Sequence, residues 1–173
     1  NFKNIKGIAD AKGEIINNIE KEGTVILNRD DQFFNYLRKK AKFKNIKIVS
    51  FGKNKNADVY PIKISKNKHY IELTVKVKNI NINLKVKNIN IYNILSSLAL
   101  LKELNLDLKR VTKYYKGYEP SEGRGKIHNI KRYNKNFKLI DESYNANPLS
   151  VKNAIKNLNS IKKQNFKKYL LLG

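Results

Sequence analysis

The sequence predicts an α/β protein built from two domains. Short apolar runs typical of buried strands alternate along the chain with segments whose apolar residues recur at helical spacing. Residues 70–87 alternate between apolar and polar side chains, which predicts an antiparallel hairpin with one solvated face. With 173 residues, 40% of them hydrophobic, the chain can form one large domain or parts of two.

The first segments alternate between helix and strand. Residues 7–20 carry apolar side chains at helical spacing and predict a helix, and residues 23–28 then form an apolar run that predicts a buried strand. A second helix follows, with Asp30 or Asp31 as its expected N-cap. Residues 46–52 predict a second strand, so this part of the chain has the order helix, strand, helix, strand.

The middle of the chain combines the hairpin with two helices. Lys78 and Asn79 separate the two alternating sets and mark the hairpin turn. Asn90 is suited to cap the helix that follows, because its side-chain oxygen can accept a hydrogen bond from a backbone N–H of the first turn. Asp107 is suited in the same way to cap a shorter helix over residues 108–116.

A loop over residues 117–125 contains one proline and three glycines and is the clearest domain boundary. We therefore expect one domain over residues 1–125 and another over residues 126–173. The chain contains no methionine, even at position 1, and ends on an apolar run. These features lead us to expect an internal piece of a longer protein.

The second domain begins with strands and continues with a helix. Residues around 127–141 predict a strand pair. Pro148 suits the first turn of a helix that runs to about residue 162, since proline has no N–H to lose there. The largely apolar run over residues 169–173 predicts a final strand.

The basic charge is better explained by background composition than by a nucleic-acid partner. The net charge is +23, from 37 basic and 14 acidic residues, but only five of the basic residues are arginines. Lysine, asparagine and isoleucine are all abundant and share A/T-rich codons, so a genome of low G+C content produces the same bias. We therefore expect no nucleic-acid partner.

Compartment is constrained by what the sequence lacks. No apolar run of 18 or more residues is present, which excludes a membrane-spanning helix as the sequence stands. The absence of cysteine rules out a disulfide framework, and no signal-peptide pattern is seen. Both observations lead us to expect a cytoplasmic protein.

The most informative segment is residues 139–148. A strand-like pair, Leu139 and Ile140, is followed by two carboxylates and then by a Ser-Tyr-Asn-Ala-Asn loop and a proline that opens a helix. Acidic and amide side chains at the end of a strand, with a helix N-terminus behind them, are typical of phosphorylated-ligand sites in open α/β sheets. The segment predicts a nucleotide enzyme.

Four separated segments resemble the Mur ligases of peptidoglycan synthesis. They are Gly7–Ile15, which contains Ala-Lys-Gly-Glu-Ile, the Asn-x-x-Asn of Asn90–Asn93, the Gly-Arg-Gly of Gly123–Gly125, and Asp141–Pro148. The resemblance implies that residues 1–125 are the later part of a central ATPase-type α/β domain. Residues 126–173 would then begin a Rossmann-like C-terminal domain.

The resemblance also implies a role for Lys12. Mur ligases carry a lysine carbamate at the matching position, and an anionic carbamate oxygen suits a hard cation such as Mg²⁺, whereas an ammonium group does not. The alternative is a solvated lysine on an amphipathic helix, which is the commoner fate of this residue type.

The remaining implied site residues face a nucleotide. Asn90 and Asn93 would contact adenine, since an amide offers both a donor and an acceptor, although Asn90 also suits a simple N-cap. Arg124 would approach the ATP phosphates, as its planar, permanently charged fork allows, unless it is only an arginine in an exposed hinge loop. Glu142, with Asp141 as the fallback, would contact ribose. Tyr144, Asn145 and Asn147 would line the nucleotide side of the cleft, although Asn147 also suits a helix cap.

The implied reaction is ATP-driven amide-bond formation. The γ-phosphate would activate the terminal carboxylate of a UDP-N-acetylmuramoyl-tripeptide as an acyl phosphate, and the amine of D-alanyl-D-alanine would attack it, with ATP and Mg²⁺ as cofactors. A phosphate loop of the form G-x-x-x-x-G-K-[ST] is absent from the 173 residues. We therefore expect a piece of the enzyme with an incomplete active site. We also expect the protein to be a monomer.

Two alternatives stay open at this stage. A related amide ligase such as folylpolyglutamate synthase shares the architecture and the carbamate lysine, although it resembles Asp-Gly-Ala-His-Asn-Pro where this chain has Ser-Tyr-Asn-Ala-Asn-Pro. A basic RNA-binding module would explain the charge without any enzyme. That module would show RNA affinity that falls steeply with salt.

Overall fold

The chain folds into two compact units. The computed structural model describes residues 4–67, 70–87, 90–161 and 167–172. Unit 1 is Asn1–Tyr118 and unit 2 is Glu119–Gly173. The division falls inside the predicted loop 117–125 but before residue 125, where the sequence prediction places the boundary.

The described residues of unit 1 form a five-stranded sheet with helices. Its elements are α1 (Ile5–Asn17), β1 (Thr24–Asn28), α2 (Phe34–Phe43), β2 (Lys47–Phe51), β3 (Val59–Lys66), β4 (Ile71–Val77), β5 (Ile80–Val86), α3 (Ile91–Glu103), α4 (Leu108–Val111) and a 3-10 turn over Thr112–Gly117. The strand order is β1-β2-β3-β4-β5. β1, β2 and β3 run parallel, and β3, β4 and β5 run antiparallel. The mixed sheet confirms the predicted α/β class.

β3 is absent from the sequence prediction. Pro61 interrupts its pattern, and the register against β4 shifts between Pro61 and Lys63. The strand is held at its start by Asp58, whose Oδ2 accepts from both the N–H and the hydroxyl of Ser50 at 2.7 and 2.6 Å. β3 pairs with β2 through Phe51 and Val59. Pro61, which has no N–H to donate, lies past this pairing and so does not interrupt it.

The main core lies between the β4–β5 hairpin and α3. The hairpin pairs as predicted, with Val77 opposite Ile80 across the turn, although Ile80 is 39% exposed and does not join the core. α3 contributes Leu95 and Leu98, both fully buried. A second apolar cluster joins α1, β1 and α2; it contains Ile16, Val25, Leu27, Phe34, Ala41 and Ile46.

Two predictions about element ends are wrong. α2 begins at Phe34, and its N-cap, Phe33, makes no side-chain capping bond. Asp31 lies two residues before this N-cap and accepts from the N–H of Phe33 itself. Asp30 accepts from Lys53, Asn54 and Tyr92. Residues 169–172 form no strand, because an extended apolar segment needs a neighbouring strand to satisfy its backbone, and none pairs with it among the described residues.

Unit 2 is a hairpin followed by a helix. β6 (Lys126–Arg132) and β7 (Lys135–Asp141) pair antiparallel, with Tyr133 and Asn134 at positive φ in the turn. α5 (Pro148–Ser160) has Pro148 in its first turn; residue 162, where the helix was predicted to end, lies outside the described residues. In the described part of unit 2 no apolar side chain is buried.

In the parts of the chain that the structure describes, no helix has the length and apolar character that crossing a bilayer requires.

Candidate functional site

Two of the sequence motifs meet in unit 2. The N–H of Gly123 donates to Asp141 Oδ2 at 2.9 Å, and the N–H of Tyr144 donates back to the carbonyl of Gly123 at 3.1 Å. The N–H of Gly125 donates to the carbonyl of Asp141 at 2.7 Å. These bonds lie at the open end of the β6–β7 hairpin, where Lys126 pairs with Asp141. We call residues 123–125 and 141–144 together the loop staple.

Glycine is required at both ends of the Gly-Arg-Gly motif. Gly123 and Gly125 have φ values of +73° and +87°, which side-chain-bearing residues rarely adopt. A Cβ on Gly123 would lie 2.7 Å from Cβ of Tyr144, and one on Gly125 would lie 3.2 Å from Oε1 of Glu142. The motif is therefore a close-approach loop whose shape depends on these two residues.

The loop staple places Arg124 over Tyr144. The guanidinium carbon lies 4.2 Å from the centre of the tyrosine ring, a distance typical of a cation–π contact. The residue is exposed, and Tyr144 is 67% exposed. The contact holds the guanidinium beside the ring. A cation–π contact does not need the N–H donors as hydrogen-bond partners, so those donors can still bind a phosphate oxygen.

The two adjacent carboxylates behave differently. Hydrogen bonds from the hydroxyl of Ser143, then from the backbone N–H groups of Ser143 and Gly123, lower the pKa of Asp141. Partial burial and then repulsion from Asp141 raise the pKa of Glu142. Asp141 thus serves the shape of the loop, which leaves Glu142 as the better candidate for contacting a ligand.

Asn145 and Asn147 help to reverse the chain before α5. The Oδ1 of Asn147 accepts from the N–H groups of Leu149 and Ser150, both at 3.0 Å, so Asn147 is the helix N-cap. The Oδ1 of Asn145 accepts from the N–H of Asn147 at 3.2 Å. Both side-chain oxygens therefore have a structural task, and for Asn147 this is the capping alternative anticipated from the sequence.

Asn90 and Asn93 lie together on the first turn of α3. The Oδ1 of Asn90 caps the helix by accepting from the N–H of Tyr92 at 3.0 Å. Both asparagines are exposed, and a spacing of three residues puts their side chains on one face of the helix. Capping uses only the oxygen of Asn90, so an amide donor from each residue is compatible with an adenine edge.

A polar cluster at the ends of β1 and β2 was missed by the sequence reasoning. Asp30 follows β1 and accepts from the N–H groups of Lys53 and Asn54 after β2, and from the hydroxyl of Tyr92 on α3. A signal was present, because Asn-Arg-Asp-Asp follows the apolar run of β1 just as Asp-Glu follows that of β7. The cluster was overlooked because Asp30 was expected to cap the second helix.

Lys12 is exposed on α1. Its neighbour Gly13 is buried against α2, where a Cβ would lie 3.2 Å from both Leu37 Cδ2 and Lys40 Nζ. Among the described residues, no three or more His, Cys, Asp or Glu side chains form a group that could hold a metal ion. In the described part of the chain, no such acidic cluster accompanies Lys12.

The sequence-predicted site residues fall into separate groups. Arg124, Asp141, Glu142 and Tyr144 are brought together by the loop staple in unit 2. Asn90 and Asn93 share one turn in unit 1. Lys12 lies on a different helix of unit 1.

The family comparison matches the first part of the chain. Residues 1–101 match the model of the Mur ligase middle domain. This match covers more than half of the 173 residues.

Curated relatives extend the similarity over nearly the whole chain. The UDP-N-acetylmuramoyl-tripeptide–D-alanyl-D-alanine ligase of Rickettsia prowazekii is 29% identical over 168 residues, which cover 95% of this chain and 36% of the relative. The UDP-N-acetylmuramate–L-alanine ligase of Borrelia garinii is 28% identical over 178 residues, covering 80% of this chain and 36% of the relative. The chain thus spans about a third of the length of these relatives.

Solved structures share the fold. MurF from Acinetobacter baumannii superposes with a TM-score of 0.77 at 24% identity, covering 93% of this chain and 34% of that one. The MurF ligase of Thermotoga maritima, solved in complex with ADP, gives a TM-score of 0.72 at 19% identity, covering 91% and 35%. At these identities the similarity establishes the fold.

Proposed function

This chain belongs to the Mur ligase family, and we propose that it forms part of the ATP-dependent ligase that joins D-alanyl-D-alanine to a UDP-N-acetylmuramoyl-tripeptide. The loop staple carries the proposal. It holds the guanidinium carbon of Arg124 4.2 Å from the centre of the Tyr144 ring, and it also contains Glu142. A relative of that name matches 95% of the chain, which supports the choice of substrates.

The residues of this chain would bind and orient the nucleotide. Bound ATP would supply the phosphoryl group that activates the substrate carboxylate for attack by the dipeptide amine. Arg124 would hold phosphate oxygens through its fork of N–H donors, while the ring of Tyr144 would help to keep the guanidinium in place. Asn90 and Asn93 would read the adenine edge, and Glu142 would accept from ribose hydroxyls.

Lys12 would contribute one anionic oxygen to the metal after carbamylation. The neutral amine captures CO₂ and loses a proton, which converts a cation into an oxygen donor that Mg²⁺ prefers. Water molecules and phosphate oxygens of ATP would supply further ligands, as is usual for Mg²⁺. We also propose a cytoplasmic, monomeric enzyme, in keeping with the use of ATP and a UDP-linked substrate.

The direct test is ligation by the full-length enzyme that contains this chain. Phosphate release is measured with UDP-N-acetylmuramoyl-tripeptide plus D-alanyl-D-alanine, and the amide product is identified by mass. We expect turnover with this pair and none when either substrate is left out. The 173-residue piece alone, which lacks a G-x-x-x-x-G-K-[ST] loop, should not turn over; ligation by the piece would refute the assignment of an incomplete site.

A second candidate within the family is ligation of L-alanine to UDP-N-acetylmuramate. It is favoured by the Borrelia garinii relative, which matches 80% of the chain. The same assay with this substrate pair separates the two, because each pair gives a product of different mass. Turnover with a folate and glutamate would instead favour the folylpolyglutamate synthase alternative, and RNA retention that falls with salt would favour the RNA-binding module.

A further inference from the structure

Asp30 ties together three elements at the carboxyl ends of β1 and β2. Its Oδ2 accepts from the N–H of Lys53 at 2.6 Å and from the hydroxyl of Tyr92 at 3.1 Å, and its Oδ1 accepts from the N–H of Asn54 at 3.1 Å. Gly52 makes this approach possible, because a Cβ there would lie 2.9 Å from both carboxylate oxygens. One carboxylate thus joins the β1 loop, the β2 loop and the start of α3.

Tyr92 is held at both of its ends. Its backbone N–H donates to the Oδ1 of Asn90 at 3.0 Å, and its hydroxyl donates to Asp30 at 3.1 Å. Lys53 Nζ lies 5.3 Å from the centre of its ring. Burial, followed by the hydrogen bond to Asp30, raises the pKa of the Tyr92 hydroxyl, so the phenol stays protonated and keeps donating at neutral pH.

The bond between Tyr92 and Asp30 matters because of where Tyr92 lies in the chain. The residue lies between Asn90 and Asn93, so any tilt of the first turn of α3 moves both exposed amides. An N-cap alone fixes the helix start locally and does not fix it relative to the sheet. The bond to Asp30 supplies that second constraint, because it connects the turn to loops that leave two paired parallel strands.

We propose that Asp30, acting through Tyr92, is a positioning residue that holds the Asn90–Asn93 turn in the orientation that reads the adenine base. The inference rests on the proposed function, since that function assigns the two asparagines to adenine. It adds a residue pair that the family resemblance did not point to. Its physical basis is preorganisation: a turn already fixed before binding loses less conformational freedom when the nucleotide arrives.

The test measures nucleotide binding by the full-length enzyme rather than its turnover. Tyr92→Phe keeps the ring under Lys53 and removes only the hydroxyl. ADP affinity is measured by titration calorimetry alongside that of IDP, which differs in the base, and of inorganic tripolyphosphate, which has none. Tyr115→Phe is the matched control. It also removes a tyrosine hydroxyl that contacts α3, at 2.5 Å from the hydroxyl of Ser97, but this contact lies further along α3 than the Asn90–Asn93 turn.

We expect Tyr92→Phe to weaken ADP binding about fivefold, as the loss of one hydrogen bond to a charged group would allow. The preference for ADP over IDP should shrink, while tripolyphosphate affinity stays unchanged. Asp30→Asn should weaken ADP binding as well, and adding Tyr92→Phe to it should cost less than in the wild type, because the two residues act through one bond. Tyr115→Phe should leave all three affinities unchanged.

Two results would overturn the proposal, and they are distinguishable. Wild-type ADP affinity and an intact ADP-to-IDP preference in Tyr92→Phe, with only the melting temperature lowered, would show that Asp30 and Tyr92 are a structural brace without influence on the base. Absence of ADP binding by the wild-type enzyme would instead remove the proposed function on which the inference rests.

Discussion

Unit 1 and unit 2 hold their candidate site residues in place by different means. In unit 1, two buried apolar clusters support the sheet and α3, and the asparagines stand on a helix anchored by that core. The described part of unit 2 buries no apolar side chain. There, hydrogen bonds between two loops and a pair of left-handed glycines keep Arg124 against Tyr144.

This difference shows that a site can be fixed locally without a core beneath it. A residue anchored by packing depends mainly on side-chain volume, although the first turn of α3 is also held by the bond from Tyr92 to Asp30. A residue anchored by loop hydrogen bonds depends on backbone conformation and on the protonation of its acceptors. Substitutions in the two units should therefore differ in whether they change activity or stability, and in whether side-chain volume, backbone conformation or charge decides the effect.

The largest expected effect is on activity. Lys12→Ala in the full-length enzyme should reduce ligation by on the order of a hundredfold or more, because it would remove the proposed carbamate ligand of the metal. Lys12 is exposed on α1, so unfolding by urea should change by less than about 0.5 kcal/mol. A short-chain carboxylic acid in solution should restore part of the rate by supplying similar oxygen donors. Full activity in this variant would mean that Lys12 is only a surface lysine.

The core of unit 1 should show the largest effect on stability. Leu98 is fully buried, so Leu98→Ala should lower the free energy of unfolding by about 2–5 kcal/mol through lost burial and a cavity. Leu149 in unit 2 is 68% exposed, and Leu149→Ala should cost less than about 0.5 kcal/mol. Urea denaturation followed by circular dichroism measures both. Equal losses in the two variants would contradict the comparison between the units.

The loop staple should respond to backbone change instead. Gly123→Ala forces a Cβ to within 2.7 Å of the Tyr144 Cβ at a φ of +73°, which should cost about 1–3 kcal/mol of local strain. Hydrogen exchange at the amides of Gly125 and Tyr144 should speed up, since those amides donate within the staple. Gly117→Ala is the control, because nothing lies within 4 Å of a Cβ there. Unchanged exchange in Gly123→Ala would show that the close contact is not restrictive.

The smallest expected effect is a pH dependence confined to unit 2. The pKa of Asp141 is lowered from its ordinary value of 3.8. Its contribution to stability is therefore present above pH 3.8 and is lost as the pH falls through the lower, folded-state pKa. Relative to the intrinsic exchange rate at each pH, protection of the Gly123 and Ser143 amides should fall over that acidic range in the wild type. In Asp141→Asn this fall in protection should be absent.

Glu142 should act in the opposite direction. Its pKa is raised above the ordinary value of 4.5, so the folded loop favours the protonated acid and loses some stability as the pH rises through that region. Glu142→Gln should remove this loss without affecting the bonds that Asp141 accepts. The check is the pH dependence of amide exchange within the loop staple. If it is the same in Glu142→Gln as in the wild type, the ionisation of Glu142 does not affect the stability of the loop.

Local rules predicted much of the fold. The β4–β5 hairpin follows from strict alternation, and the caps Asn90, Asp107 and Asn147 follow from short side chains placed before helical patterns. β3 escaped because Pro61 breaks its pattern and its pairing depends on strands elsewhere. The expected strand at 169–172 did not form, since apolar character alone does not provide a pairing partner.

The candidate site divides in the same way. The identities of Arg124, Glu142 and the asparagines came from motifs in the sequence and their family resemblance. The stacking of Arg124 on Tyr144 depends on a hairpin register that brings together residues 20 positions apart, which no local pattern states. Asp30 was assigned to the nearest helix, whereas its donors lie 23 to 62 residues away.

The length of the β6–β7 hairpin determines whether the two loops of the staple meet. Seven residues on each strand carry the chain from Lys126 to its turn and back to Asp141, and the loop staple closes at the open end. Deleting one residue from either strand would slip the ladder and turn every later side chain to the opposite face. Insertions at Tyr133 and Asn134 would leave the staple untouched. Natural length variants, and engineered epitope tags, should therefore be accepted at that distal turn and rejected within the strands.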